Sequence, residues 1–358
     1  MPATESRDVT AVRYFDAAAL STWTVDVFKA CGVDDAPARL AADILARTSL
    51  RGIDTHGISR VPVYAAKLKI GEVNASARPV SQFVDGALHI DGDGGLGQVV
   101  ATFAVDEAIA RAQTTAVVAC SIRNSGHLSA LGMFTLRAAE RGYVAMLCQK
   151  TPPNMAMPGS TSPVIGNNPI AFAAASPLGA PLVFDMANSV VARGQVIQAL
   201  RDGHGIPDDW ALGPDGAPTI DPARAMKGAM RPAAGHKGIG LAMMVECLAA
   251  SLTGALQEPA KTAPLGATSG SSSGISAFLM VIDPALFIGK DAFDASMSSW
   301  LRHYLSAGGP QARYPGQRQA ACEAQRLADG VPVPESVLRE LHATGESVGV
   351  PFDVGSVI

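Results

Sequence analysis

From residue 87 onward, short apolar runs alternate with longer stretches of helical periodicity, a pattern that restricts the chain to a sheet covered by helices. Strands are expected at 87–90, 116–122, 144–148, 170–174, 182–185 and 277–282, and helices at 99–112, 128–141 and 238–251. Ahead of this region, residues 14–50 read as two helices. The second begins after Asp34 and Asp35, which can cap it, has Pro37 in its first turn, and ends near Gly52. Another helix is expected through Tyr64 and Leu68. The stretch 201–222, rich in Gly, Pro and Asp, reads as an irregular excursion, and 265–274, almost all Gly, Ser, Ala and Thr, as a flexible loop. Helices are expected again near 292–305 and 335–344, with a Pro/Gly turn near 313–318 between them.

Hydrophobic residues make up 48% of the 358, enough for a substantial core; aromatics are only 5%, so that core is packed with small side chains. A net charge of −4 gives no electrostatic reason to expect nucleic acid or an anionic membrane as partner. Residues 1–10 are polar and lack an apolar signal core. The most apolar run, 239–252, contains Glu246 and is too short to span a bilayer. Five cysteines without CxxC or Cys/His spacing read as reduced thiols in a cytoplasmic protein, and no metal site is expected.

Five segments carry chemistry. Gly92-Asp-Gly94-Gly-Leu-Gly97 matches GxGxxG between an expected strand and an expected helix. In a Rossmann unit such glycines admit a pyrophosphate, but the next strand ends in Arg123-Asn124 rather than in the acidic residue that binds a ribose. An ordinary glycine-rich turn stands beside that reading. Asp54-Thr55-His56-Gly57 places a titratable ring beside a hydroxyl, with Arg60 four residues on. A keto acid needs a cation for its carboxylate and an acid for its carbonyl oxygen, and this segment can supply both; a structural loop histidine is the plainer alternative. Asn124-Ser-Gly-His127-Leu-Ser129 runs from a strand end toward a helix, either as an anion site or as a simple cap. Gly235-His236-Lys237-Gly238 opens a helix with a cation that opposes the helix dipole unless an anion is present. Asp185-Met-Ala-Asn-Ser189 closes a strand, where ligands of α/β sheets bind.

Taken in order, the segments 51–60, 124–131, 166–172, 184–187, 235–241 and 314–316 resemble the malate/L-lactate dehydrogenase family, which includes sulfolactate, ureidoglycolate and diketogulonate dehydrogenases and the piperideine-2-carboxylate reductases. The resemblance covers about residues 15 to 320. It implies an α/β fold with three α/β/α layers and a mixed sheet, sulfolactate dehydrogenase-like and not Rossmann, plus a helical N-terminal segment. It makes the glycine motif a turn that enters a helix. It implies a helical, catalytic domain from 1–120 and 285–358 and a cofactor-binding α/β domain at 121–284. His56 is then the proton donor, with Thr55 beside it; in some relatives the histidine matching His127 is the base instead. Arg60, Asn167, Arg193 and Gly194 would meet the substrate. His127, Leu128, Ser129, Ala130, Leu131, Asp185, Met186, Ala187, His236, Lys237, Arg313, Pro315, Gly316 and Arg318 would hold NADPH or NADH, with a slight preference for NADP.

Two departures bear on the substrate. Asn167 replaces a threonine common in relatives, and Gln195 stands where the imine reductases carry an aspartate. A neutral amide cannot raise a histidine pKa as a carboxylate does. The expectation is therefore a homodimeric NAD(P)-dependent dehydrogenase of a small malate- or lactate-like 2-hydroxy acid, acting on a carboxylate substrate and engaging neither nucleic acid nor membrane. The alternative is a reductase of cyclic imino acids such as piperideine- or pyrroline-2-carboxylate, and a third reading is a binding protein without catalysis.

Overall fold

The structure is a computed structural model that describes residues 12–157, 159–254 and 275–357; the expected loop at 265–274 lies outside the described residues. Its centre is a seven-stranded sheet. In spatial order the strands are Val80–Val84, Ala87–Asp91, Val117–Arg123, Ala277–Ile282, Val144–Gln149, Ile170–Ala174 and Leu182–Met186. Only Ala87–Asp91 and Val117–Arg123 run parallel, joined by the helix Gly97–Ala112; every other neighbouring pair is antiparallel. The sheet is mixed, as expected.

Alternation along the strands assigns the two faces. Ala145 and Leu147, Ala277, Leu279 and Val281, and Val118, Cys120 and Ile122 face the helices Gly97–Ala112 and Gly132–Ala139. Cys148, Ile170 and Phe278 face the opposite side, against Val245 and Ala249 of the segment 236–251, and Ala174 meets Met297 and Leu301 of the helix Lys290–Gly308. Helices thus cover both faces. The alanines Ala101, Ala104 and Ala108 give Gly97–Ala112 a flat inner side that can lie close to the sheet.

A separate core lies beside this sandwich. The helices Ala17–Ala30, Asp35–Leu50, Val61–Lys69 and Glu335–Val348 pack around Phe15, Leu20, Phe28, Leu45, Tyr64 and Leu341, closed by a ribbon in which Val12–Phe15 pairs antiparallel with Val331–Pro334. Ile44 carries helix Asp35–Leu50 onto the sheet's own core. The sheet takes its first two strands from the part of the chain before residue 121.

The structure corrects several sequence expectations. Helix Asp35–Leu50 has Asp34 at its cap position without a side-chain cap bond; Asp34 pairs instead with Arg78, and Asp35 with Lys29 and Arg39. Residues 128–131 are not helical, and the helix expected at 128–141 is confined to Gly132–Ala139. Asn124 and Ser129 take left-handed φ angles of 51° and 71°, which break the helix before it starts. The helix expected over 238–251 is α-helical at His236–Glu246 and continues as one π turn, Cys247–Ser251. The helices Arg193–Asp202 and Gln317–Asp329 were not expected.

Candidate active site

One edge of the sheet gathers nearly every segment singled out in the sequence. Register places Asp91 opposite Arg123, Ala277 between Ile122 and Gln149, and Ile170 between Cys148 and Met186. The chain after Arg123, before Ile170 and after Met186 therefore emerges on the same side. His127, Asn167 and Ala187 share that rim.

The glycine motif lies beneath it as a platform. The Gly92 amide donates to the Arg123 carbonyl (2.9 Å), that of Gly94 to Asn124 (2.8 Å), and that of Gly126 to the Gly95 carbonyl (2.9 Å). A Cβ on Gly97 would collide with the carbonyl oxygen of His127 and fall 2.6 Å from that of Gly126. The space a pyrophosphate fills in a Rossmann unit is occupied here by the backbone of 126–127. Gly97 is glycine because the loop backbone of Gly126 and His127 lies across it.

The His56 segment folds as two short 3-10 turns, Asp54–His56 and Ile58–Arg60, pinned from several directions. Ser129 Oγ donates to the His56 carbonyl (2.5 Å), the Ile58 amide donates to Ser49 Oγ (3.0 Å), and Arg326 pairs with Asp54 (2.5 Å). Arg326 belongs to the unexpected helix Gln317–Asp329, so the C-terminal region fixes this turn. Thr55 Oγ1 lies 2.9 Å from His56 Nδ1. A Cβ added to Gly194 would sit 3.0 Å from Thr55 Cβ, so the start of helix Arg193–Asp202 rests on Thr55.

His56 and His127 come together with ring centroids 6.1 Å apart. Tyr64 stacks behind His127 at 6.4 Å, its hydroxyl 3.0 Å from Nδ1. Burial, and then the charge of Arg60, lowers His56 to about 4. Burial also holds His127 well below the usual imidazole range, helped by the charges of Arg60, His56 and Lys67. Both rings are neutral at pH 7 and able to accept a proton. The Nε atoms of Arg60 and Arg193 are buried without a hydrogen-bond partner, and neither guanidinium is ion-paired among the described residues. Arg193 is held below its ordinary value by burial and then by Arg60. Arg60 also lines a cavity with Thr55, Gly194, Gln198 and the Val331–Pro334 strand; neither histidine lines it.

The remaining candidates are linked in a chain of contacts. The Gly132 amide donates to Asp185 Oδ2 (2.7 Å), so Asp185 caps the helix that the His127 segment precedes. His127 is thus not at a helix N-terminus, which corrects the sequence reading. Leu128, Ala130 and Leu131 have buried side chains, and the amides of 128–131 donate to no acceptor among the described residues. Val183 donates to Pro315 (2.9 Å), bringing the Tyr314–Gly316 turn, with exposed Arg313 and Arg318, against the strand that ends in Asp185 and Met186. Ala233 donates to the Asn188 carbonyl (2.9 Å), which seats the exposed His236 and Lys237 beside Ala187. Asn167 is less free: its Oδ1 accepts from Thr151 (2.9 Å) and Asn154 (3.2 Å), leaving only its amide nitrogen for a ligand. Gln195 is exposed on its helix. The sequence reading missed Tyr64 and Ser49. The four-residue step from Arg60 to Tyr64 was the available signal, since it puts both on one helical face.

A model of the family described as malate/L-lactate dehydrogenase matches residues 15–342. The chain is 34% identical to a (2R)-3-sulfolactate dehydrogenase (NADP(+)) of Chromohalobacter salexigens, over 90% of this chain and 95% of the relative. It is 33% identical to a Delta(1)-pyrroline-2-carboxylate/Delta(1)-piperideine-2-carboxylate reductase of Pseudomonas aeruginosa, over 89% and 95%. The solved sulfolactate dehydrogenase of Methanocaldococcus jannaschii superposes with a TM-score of 0.82 at 29% identity, covering 94% of this chain and 98% of that one. No helix among the described residues is long and apolar enough to cross a membrane. With the motifs, the mixed sheet and the paired histidines on one rim, the matched span establishes that the chain belongs to the malate/L-lactate dehydrogenase family of oxidoreductases.

Proposed function

We propose that this protein is an NAD(P)H-dependent dehydrogenase that interconverts a small 2-hydroxy acid and its 2-keto acid, and that its preferred substrate carries two anionic groups. One observation carries the reading: two guanidiniums, Arg60 and Arg193, stand beside the Thr55-His56 turn with buried, unpartnered Nε atoms, and neither is ion-paired with a carboxylate among the described residues. Two cations held this close favour an anionic ligand, and a planar guanidinium fits a carboxylate in two-pronged fashion. A malate- or sulfolactate-like substrate offers a carboxylate to each or a carboxylate and a sulfonate; a cyclic imino acid offers one carboxylate. His56 is the proton donor in reduction, Thr55 orients its ring through Nδ1, and Gly194 keeps the Arg193 end of its helix against Thr55.

Turnover of oxaloacetate, 3-sulfopyruvate, pyruvate and Δ1-piperideine-2-carboxylate, each with NADH and NADPH, tests the reading. The dianions are expected to lead. Arg193→Gln should lower kcat/KM for them at least about tenfold, as for loss of a charge-assisted contact, and alter pyruvate turnover little. A fastest reaction with the cyclic imine would transfer the chain to the reductases. No turnover with any of them, alongside tight cofactor binding, would favour a binding protein.

The rim fits a nicotinamide dinucleotide. The unengaged amides of 128–131, the exposed cation of Lys237 opening helix His236–Glu246, and the exposed Arg313 and Arg318 beside Pro315 and Gly316 suit its phosphates, while Asp185, Met186 and Ala187 border the same strip. When bound, the cofactor supplies or accepts the hydride. We favour NADPH, because an arginine can meet a 2′-phosphate. Lys237→Met should weaken cofactor binding by about 1.5–3 kcal/mol in a fluorescence titration. Unchanged affinity for both cofactors would remove Lys237 from the site.

The partner is a second copy of the chain. Phe172 and Phe184 face each other at the edge of the sheet and are 37% and 41% exposed, and Met243 is 51% exposed; apolar surface of this kind calls for cover. Light scattering should return twice the chain mass of 36.8 kDa, and a monomer mass would rule the dimer out.

A further inference from the structure

The cavity that Arg60 lines is also bordered by two acids, Asp54 and Asp202. Opposite charges in a partly buried site attract strongly, so an unpaired arginine that shares a cavity with carboxylates calls for a reason. Both acids are engaged from outside. Arg326, on helix Gln317–Asp329, takes both oxygens of Asp54: Nη1 donates to Oδ1 (2.5 Å) and Nη2 to Oδ2 (3.0 Å). Nη1 also donates to the Ser49 carbonyl (2.5 Å). Ser336 donates to Asp202 Oδ1 (2.9 Å). Arg201, the other cation at the cavity, is paired with Glu340 through two bonds of 2.8 Å. Arg60 is the one charged side chain bordering the cavity that has no partner among the described residues. Of the two acids, Asp54 belongs to Arg60's own segment, since the two lie in consecutive 3-10 turns. Its clamp is itself held firmly. On the same helix as Arg326, Glu323 accepts from Arg47 (2.7 Å) and Arg51 (2.5 Å), and the Arg51 side chain is only 5% exposed. Arg326 does not border the cavity.

We propose that Arg326 is a positioning residue for substrate affinity: by occupying both oxygens of Asp54 it keeps that acid from Arg60 and leaves the Arg60 guanidinium open to a ligand carboxylate. The inference rests on the proposed role of Arg60 as carboxylate anchor. A carboxylate held in two-pronged fashion by one guanidinium has little left to offer a second. Without Arg326, Asp54 becomes a competitor for Arg60 inside the protein itself, and an incoming carboxylate must displace it. The pair Asp54–Arg326 therefore differs from an ordinary structural ion pair in the sign of its two halves. Losing the arginine harms anion binding, because it releases the acid. Losing the acid does not, because the acid was already withdrawn. Losing both restores an unopposed Arg60.

Calorimetric titration of oxalate, an unreactive dicarboxylate, in the presence of NADP+ tests this without turnover. The salt is kept at 0.15 M, where exposed charges more than about 8 Å apart are largely screened. Arg60→Gln should weaken oxalate about tenfold or more, which establishes the anchor. Arg326→Gln should weaken it about tenfold, Asp54→Asn should change it by less than about threefold, and the double variant should return to within about threefold of the wild type. Should Arg326→Gln fail to fold, Arg326→Lys, alone and combined with Asp54→Asn, carries the same comparison with a smaller loss of about threefold. A merely structural pair gives the opposite pattern: Asp54→Asn weakens oxalate as much as Arg326→Gln does, and the double variant is no better than either. That pattern, or wild-type affinity in Arg326→Gln, or marked tightening in Asp54→Asn alone, overturns the proposal. Oxalate that does not bind the wild type, or binds Arg60→Gln equally well, overturns the reading of Arg60 and the proposal with it. Absence of turnover with every keto acid would count against the dehydrogenase reading only.

Discussion

His56→Ala is expected to reduce kcat by about 10²–10⁴-fold while leaving cofactor affinity nearly intact, the range for loss of a general acid. His56 is held by Ser129 at its carbonyl and by Thr55 at Nδ1, so its Nε2 is the atom left to exchange a proton. None of the phosphate-binding candidates depends on its side chain. The pH behaviour follows from its environment. Burial and Arg60 lower the free imidazole to about 4, so the base form needed to oxidise a hydroxy acid predominates above that value. For oxidation, kcat/KM should be flat from about pH 8 to about 5.5 and fall only as the pH approaches 4. Reduction needs the protonated ring. A carboxylate bound at Arg60 offsets the charge that opposes protonation, so binding of a keto acid should be accompanied by proton uptake, measurable in weakly buffered solution. Near-normal kcat in His56→Ala would move the proton-transfer role to His127, and a His127→Ala variant measured alongside separates the two.

Gly97→Ala should be strongly destabilising for so small a substitution, costing about 3–5 kcal/mol in a urea unfolding experiment. Its Cβ meets the carbonyls of Gly126 and His127, which are backbone and cannot rotate away. Gly94→Ala in the same turn should cost only about 1–2 kcal/mol, through its left-handed φ of 68°. Both effects should appear in stability before they appear in cofactor affinity. A Gly97→Ala protein as stable as the wild type but unable to bind nicotinamide cofactor would falsify the assignment of this turn as a platform and return it to the role of a phosphate cradle.

Much of the layered fold was legible in the sequence because its strands are apolar and evenly bounded. Ile170–Ala174 and Ala277–Ile282 have the expected limits, and helix Asp35–Leu50 is close to them. Helix Gln317–Asp329 was not legible: its periodicity is carried by alanines and charges, its single leucine is exposed, and it buries no residue fully, so it shows no run of large apolar side chains to detect. Strand Val80–Val84 is exposed along its whole length and pairs on one side only. The true start of the helix after His127 depends on the left-handed backbone of Asn124 and Ser129, which the Gly97 platform and the His56 carbonyl impose from elsewhere in the chain. The motifs named His56, Arg60 and His127, but the unbalanced charge at Arg193 and the pairing of Asp54 with Arg326 arise from packing between distant segments.

The order of strands also determines how this chain can be made. Ala277–Ile282 lies between Val117–Arg123 and Val144–Gln149, yet it is synthesised well over a hundred residues after both of them. Until it emerges from the ribosome, those two strands each have an open edge that should be central, and such edges invite pairing with other chains. The Val331–Pro334 partner of the N-terminal strand, and the Arg326 that pins the His56 turn, arrive later still. A nascent chain stopped before residue 277 therefore lacks both a closed sheet and an ordered site, so the protein should need its last quarter before it gains either solubility or activity, and chaperone demand during synthesis should be highest just before that point.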